Sequence, residues 1–372
     1  MRTSKKVLSA LTISTVFGLT AVACGSDKKA DTTTTTAAAS STTAASSTTA
    51  APAAGKICEV TDVGGVDDKG FNESAWVALE ESEKELGTSS KLLESSTEAD
   101  YATNIQSLLG DNCALIVTVG FLLDGATASA ANQQFAIIDS SALDNNGTPD
   151  DFSDDVALPN VRPLNFATDQ SSFLAGYLAA GMSETGVVGT FGGINIPPVS
   201  IFMEGFRLGV EHYNSVKGTD VELLGWDGSE GSFAGNFDSL DDGKRIAQGF
   251  ADEGADVIFP VAGPVGQGAS AYALEKGGIR IIGVDTDQYL SNPEHKAVYL
   301  TSVLKGITAA VKDTVANVVK DGKAGDNYVG TLENGGTSLS PFHDQDADVP
   351  QELRDELEAL TADIIAGKIK TS

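Results

Sequence analysis

The stretch Asp62-Val63-Gly64-Gly65-Val66-Asp67-Asp68-Lys69-Gly70-Phe71-Asn72 gathers carboxylates, a lysine, an aromatic ring and an amide directly after a short apolar run. Such a set can accept hydrogen bonds from hydroxyls, donate to acceptors and cover a flat ring. Two further stretches have the same character. Ala262-Gly263-Pro264-Val265-Gly266-Gln267-Gly268 lets a backbone approach a ligand closely at a helix start, and Gly283-Val284-Asp285-Thr286-Asp287-Gln288 ends an apolar run on a carboxylate. In open α/β sheets the ligand site lies beyond the carboxyl ends of the strands, which is where these loops fall.

The elements that must position them alternate strand and helix, the pattern of parallel sheets with helical crossovers. Strands are expected at Ile57 to Asp62, Lys91 to Glu94, Ala114 to Val119 and Phe135 to Asp139, with helices at Asn72 to Leu86, Tyr101 to Leu109, Gly125 to Gln133 and Ser171 to Met182. The series then restarts. Strands are expected at Val187 to Phe191, Val221 to Trp226, Val257 to Val261 and Ile279 to Asp285, with helices at Ser200 to Tyr213, Gly243 to Glu253 and Gly268 to Lys276. A helix from Lys305 to Lys320, a strand near Tyr328 and a helix started by Pro350 complete the chain. Two series of similar size predict two α/β lobes within residues 56–372, each a doubly wound parallel sheet flanked by helices. Lobe 1 is expected over about 56–185, lobe 2 over about 186–285, with 286–372 shared between them.

Residues 1–23 read as a signal peptide, with Arg2, Lys5 and Lys6 before the apolar run Val7 to Ala23. The run ends Ala21-Val22-Ala23-Cys24, which looks like a lipobox, so Cys24 is the expected lipidation site and two acyl chains suffice for lasting attachment. Residues 24–55 are Ser-, Thr- and Ala-rich without large apolar groups, and read as a disordered spacer between a membrane and the folded part. The net charge of −28 argues against a nucleic-acid partner and against broad contact with anionic headgroups, leaving the lipid as the expected membrane anchor. With Cys24 lipidated, Cys58 and Cys113 remain as a pair in an oxidising compartment. Both open strand-like runs that are neighbours in a sheet of order 2-1-3, so a Cys58–Cys113 disulfide is expected, two buried free thiols being the alternative.

An enzyme, such as a nucleoside hydrolase, is the second function class, since carboxylates in a cleft between α/β lobes can do acid–base chemistry, but the chain offers little support for it. His212, His295 and His343 are few and fit surface positions, and there is no His-Glu-x-x-His, no phosphate-binding loop and no Gly-x-Ser-x-Gly elbow. The glycines at 263, 266 and 268 have the wrong spacing for a dinucleotide fingerprint. No metal or cofactor is expected.

The loops, together with Phe173-Leu174-Ala175-Gly176-Tyr177-Leu178-Ala179-Ala180, resemble the basic membrane protein family of nucleoside-binding lipoproteins of ABC importers. The family's D-x-G-G-x-D-D-x-x-F-N pattern is matched at Asp62 to Asn72, G-V-D-x-D-Q at Gly283 to Gln288, and T-S-x-x-K at Thr301 to Lys305. The match runs in order from Ile57 to the C-terminal helix. The resemblance implies a two-lobed type I periplasmic-binding-protein fold that closes on its ligand, a monomer that presents its closed shape to a permease on the extracytoplasmic face.

Carried over by position, Phe71 and Phe206 stack on the two faces of a base, Asp285 binds a ribose diol, and Lys305 supplies a donor and balances the carboxylate. Asp67 and Asn72 hydrogen-bond base or sugar, Asp124 reads purine edge nitrogens, and Gly263 lets the backbone approach. Each has a plainer reading. Phe71 staples its helix start, Phe206 is core as is Phe202 one turn earlier, Asn72 and Asp124 are helix caps, Asp67 or Asp68 shapes the loop, Asp285 caps a helix, and Lys305 is a solvated surface residue. A sugar binder of the same fold and a surface interaction protein are the alternative functions. Two stretches depart from the family pattern: an acidic insert from Asp144 to Asp155, read as a surface loop of the first lobe, and Glu230 to Asp241.

Overall fold

A computed structural model describes residues 55–130, 132–148 and 152–372. The expected signal peptide, the expected lipidation site Cys24 and the expected spacer as far as residue 54 lie outside the described residues. In the first half, β1 (Lys56–Val60), α1 (Phe71–Leu86), β2 (Ser89–Leu93), α2 (Asp100–Leu109), β3 (Cys113–Val119), α3 (Asp124–Ala128) and β4 (Phe135–Ile138) follow in order. A small hairpin of β5 (Leu143–Asp144) and β6 (Val156–Ala157) precedes β7 (Val161–Phe166). The second half runs α4 (Thr168–Met182), β8 (Val187–Gly192), α5 (Pro197–Lys217), β9 (Glu222–Leu224), α6 (Leu240–Asp252), β10 (Val257–Val261), α7 (Pro264–Lys276), β11 (Arg280–Asp285), α8 (Gln288–Ser291) and β12 (Tyr299–Lys305). The chain ends with α9 (Ile307–Asp321), β13 (Tyr328–Gly330), β14 (Thr337–Leu339) and α10 (Gln351–Ile365).

These strands build two six-stranded sheets of matching order, β13-β7-β4-β3-β1-β2 and β14-β12-β11-β10-β8-β9, parallel throughout except that β14 runs against β12. Helices cover the faces, so β3, β4, β10 and β11 are buried almost along their length, as expected of parallel strands covered on both sides. The expected 2-1-3 neighbourhood is present. Cys58 and Cys113 are bonded across it, with Cα atoms 5.9 Å apart.

Helix α4 packs on α5 and on β12 of the second sheet. Its Gly176 sits where a Cβ would lie 2.0 Å from the Phe206 carbonyl oxygen, and Gly209 of α5 would meet the Phe173 carbonyl at the same distance. Only paired glycines let two helix backbones come so close. Two expectations about helices are corrected. The helix expected from Lys305 starts at Ile307, and Lys305 instead ends β12, a strand whose Thr and Ser content hid it. The helix placed at Gly125 to Gln133 is the shorter α3.

The chain crosses between sheets three times, from β7 to α4, from β12 to α9, which packs on α1, and from β13 to β14. The crossings are tied together. Ala167 donates its N–H to the Gly330 carbonyl at 2.8 Å, and Gly306 donates to that of Gly336 at 2.9 Å.

Candidate functional site

The loop after β1 is a hydrogen-bonded frame. The Asp68 carboxylate accepts the backbone N–H groups of Gly70 at 3.0 Å, Asn72 at 2.8 Å and Glu73 at 3.1 Å, which makes it the cap of α1. The Asn72 amide donates to Asp68 at 3.1 Å and to Asp62 at 2.8 Å, and its oxygen accepts the Asp62 N–H at 3.2 Å. Asn72 is therefore a brace within the loop. Burial pushes the Asp68 carboxyl up to about 7 against the pull of its backbone donors, and burial likewise raises Asp62 against Asn72 and Gly64.

This loop also reaches the opposite lobe. Gln267 donates to the Asp68 carbonyl at 3.0 Å, and Thr286 and Ser291 each donate a hydroxyl to the Lys69 carbonyl at 2.9 Å. Lys69 adopts a φ of 63°, which turns that carbonyl toward them.

At the facing ends of the sheets, β4 and β11 occupy equivalent places in the two strand orders, and each is followed or ended by an aspartate in the left-handed region. Asp139 has a φ of 61° and Asp285 of 66°. Aspartate tolerates that region better than most residues, and such backbone at a strand exit marks a constrained position. Lys305, from β12 of the second sheet, lies between them, with Nζ 2.5 Å from Asp139 Oδ2 and 3.4 Å from Asp285 Oδ1. The first is a hydrogen-bonded ion pair. The second is an ion pair only, and Asp285 Oδ1 has no hydrogen-bond partner although it is buried. Burial pulls the Lys305 ammonium down, but the carboxylates of Asp139 and Asp285 more than offset it, so its pKa stands above the ordinary lysine range. The ammonium also lies 4.9 Å from the ring centres of both Phe71 and Phe202, within cation–π reach.

These groups line one cavity together. Of the residues singled out in the sequence, Phe71, Asn72, Gly263, Asp285 and Lys305 line it together. Gly263, with a φ of 51°, precedes α7 and presents backbone to the space. Three residues lie elsewhere. Asp67 is exposed on the outside of its loop, and its neighbour Asp68 faces the cavity instead. Phe206 is fully buried in the core with its ring 5.0 Å from that of Phe259, and Phe202 supplies the aromatic wall from α5. Asp124 lines a neighbouring chamber, its carboxylate accepting the Ser140 hydroxyl and, at 3.1 Å, the Ala142 N–H.

Sequence reasoning passed over Asp139, Phe202 as a wall residue, and Phe237. Asp139 carries the same signal that picked out Asp285, a carboxylate at a strand exit. Phe237 comes from the stretch Glu230 to Asp241, whose departure from pattern concealed it. Lys305 is the one cation among the described residues lining the cavity. Among the described residues no group of His, Cys, Asp or Glu is arranged to hold a metal ion, and no helix is long and apolar enough to cross a membrane.

Comparison with known proteins agrees with the fold and with the family resemblance. Over 84% of its length the chain is 32% identical to the ABC transporter nucleoside-binding protein BmpA of Lactococcus lactis, 88% of which is covered. It is 31% identical to the CD4+ T-cell-stimulating antigen of Listeria monocytogenes, with 84% and 87% covered. Among solved structures, a solute-binding protein of an ABC transporter system from Aeropyrum pernix K1 superposes with a TM-score of 0.73 at 24% identity, over 85% of this chain and 92% of that one. This likeness concerns the fold. The family of PnrA-like ABC transporter substrate-binding proteins matches residues 56–370, and the chain belongs to that family.

Proposed function

We propose that this protein is an extracytoplasmic, lipid-anchored receptor that holds a nucleoside, purine preferred, in the cavity between its lobes and delivers it to an ABC importer. The observation that carries the reading is the trio Asp139–Lys305–Asp285 beside two aromatic walls from opposite lobes. Asp285 keeps a buried oxygen without a hydrogen-bond partner, and a ribose diol offers the donors to fill it. Lys305 fixes the charge balance and has a further N–H to give. Phe71 from lobe 1 and Phe202 from lobe 2 suit the two faces of a base. Nucleoside binding by the Lactococcus relative supports the same ligand class. Contacts drawn from both lobes exist together only when the lobes are closed, so the ligand shifts the protein toward the shape a permease reads. The role is capture and delivery, without chemical conversion.

The test is titration calorimetry of the protein, freed of co-purified ligand, with guanosine, adenosine, inosine, cytidine, uridine, ribose and galactose. Tight binding of a purine nucleoside, weakened roughly 10- to 100-fold by Asp285→Asn through loss of charge-assisted hydrogen bonds, is expected. Asn keeps the left-handed backbone, so the loss reads the carboxylate. Binding of free sugars alone transfers the cavity to a sugar ligand, and no binding at all favours an interaction protein.

A further inference from the structure

We propose that the loop after β1 and the segment from Thr286 to Ser291 form a latch that holds the two lobes together without touching the solute, and so sets the affinity for every ligand by one common factor. The inference takes its solute from the nucleoside reading, while the latch itself rests on contacts within the chain. Thr286 and Ser291 of lobe 2 each donate a hydroxyl to the Lys69 carbonyl of lobe 1 at 2.9 Å, and Gln267 donates to the Asp68 carbonyl at 3.0 Å. Lys69, Gln267, Thr286 and Ser291 are not among the described residues lining the cavity. Their bonds therefore act between the lobes and leave the ligand alone.

Both halves are shaped before they meet. On lobe 1 the Asp68 carboxylate grips the N–H groups of Gly70, Asn72 and Glu73, which fixes the turn, and the left-handed backbone of Lys69 aims its carbonyl out of the loop. A lysine seldom adopts that region, and such backbone persists where its surroundings hold it. Here the surroundings on the far side are the two hydroxyls. The next residue, Gly70, comes so near the end of β11 that a Cβ on it would lie 3.8 Å from that of Asp285. On lobe 2 the segment is pinned from behind. The Gln288 N–H donates to the Ser302 hydroxyl oxygen at 3.1 Å, His343 Nε2 lies 2.7 Å from Asp287 Oδ2, and the Tyr289 ring stacks on that of His343 with centres 4.1 Å apart. Thr286 and Ser291 flank this pinned turn with their hydroxyl oxygens 3.0 Å from each other.

That spacing makes the latch reversible. The two hydroxyls have two protons for three contacts: one from each to the Lys69 carbonyl, and one between themselves. With the lobes together, both protons go to the carbonyl. With the lobes apart, one hydroxyl donates to the other, and the second donates to water. No donor is left unpaired in either arrangement, so the net strength is that of ordinary exchanged hydrogen bonds, roughly tenfold in the closed-to-open ratio for the pair. Any ligand that needs the closed form then sees its apparent dissociation constant scaled by the closed fraction, whatever its base.

The test removes both hydroxyls in Thr286→Val/Ser291→Ala. In calorimetry with guanosine, inosine, adenosine and cytidine, the dissociation constant of each compound that binds should rise roughly tenfold, by factors that agree within about twofold. The exchange Thr286→Ser/Ser291→Thr keeps both hydroxyls and should return binding to within about threefold of the parent. Gln267→Ala, which leaves β11 and α8 untouched, should give the same uniform pattern at about threefold. In parallel, spin labels at Glu80→Cys on α1 and Lys276→Cys on α7, both exposed positions on opposite lobes, report the lobe separation without ligand, in the full chain carrying Cys24→Ser. The closed population should fall roughly tenfold when the two hydroxyls are removed. Dissociation constants in the double variant within about twofold of the parent overturn the latch. So does a loss that differs among ligands by more than about threefold, because the hydroxyls then contact the solute. An unchanged ligand-free distance distribution overturns it as well. If no nucleoside binds the parent, the nucleoside reading fails, and the ligand-free distances alone decide the latch.

Discussion

Replacing Lys305 by Met removes the only cation among the described cavity-lining residues and leaves Asp139 and Asp285 facing each other across the lobes. The side chains of Lys305, Asp139 and Asp285 are 4%, 8% and 10% exposed, so water cannot replace the lost partner. At contact distances of 2.5 and 3.4 Å, each attraction is on the order of 5 kcal/mol at an effective dielectric constant of about 20, before the cost of desolvating the ammonium. Removing one partner of a buried pair costs about 3–5 kcal/mol in practice, and this is the loss expected for Lys305→Met in urea unfolding at pH 8. Methionine keeps most of the contact with Phe71 and Phe202, so packing contributes little. The pH dependence gives the sharper check. Without the lysine, one of the two carboxylates has a raised folded-state pKa, and stability from such a group is present at low pH and lost as pH rises through that pKa. The deficit should therefore be smaller at pH 5 than at pH 8, by about 1 kcal/mol or more. Adding Asp139→Asn, which tolerates the left-handed backbone, should recover part of the loss. A Lys305→Met deficit below about 1 kcal/mol at pH 8, or one that does not change with pH, would refute the placement of a buried charge trio between the lobes.

Phe202→Ala should weaken nucleoside binding measured by calorimetry more than Phe206→Ala does. The latter should act on stability instead, by about 3–5 kcal/mol in denaturant unfolding, because Phe206 is wholly within the core. Opening the Cys58–Cys113 bond, which closes a sequence separation of 55 residues, should cost up to about 4 kcal/mol by the loop-entropy relation, read as a shift of the unfolding midpoint with and without reductant. Glu59 in β1 is fully buried with neither oxygen hydrogen-bonded, and burial raises its pKa well above the usual carboxylate range. Folding must therefore keep it protonated, and the stability of the parent should fall as pH rises above the ordinary glutamate value. Glu59→Met should gain stability over the parent, by more at pH 8 than at pH 5, and an equal effect at both would show the carboxyl to be paired.

What sequence alone determined follows from periodicity and from loop chemistry. Alternating apolar runs and amphipathic stretches located most strands and helices, since each depends on local spacing. Strand order then brought Cys58 and Cys113 together; loop chemistry with the family resemblance singled out Phe71, Asn72, Gly263, Asp285 and, through the T-S-x-x-K motif, Lys305, all of which line the cavity. Choices between near-equivalent residues lay beyond local spacing. Asp67 and Asp68 are adjacent acids, and only the folded loop turns Asp68 inward to cap α1. Phe202 and Phe206 share one helical face, and the close approach of α4 to α5 decides that Phe206 is sealed in the core while Phe202 reaches the cavity. The Thr- and Ser-containing β12 has no distinctive apolar run, so its partners in the sheet, rather than its own composition, make it a strand. The crossing at Ala167 likewise depends on a helix finding its glycine-matched partner in the second half of the chain. Local sequence sets which groups are available at each strand end; packing between distant segments decides which of them meet.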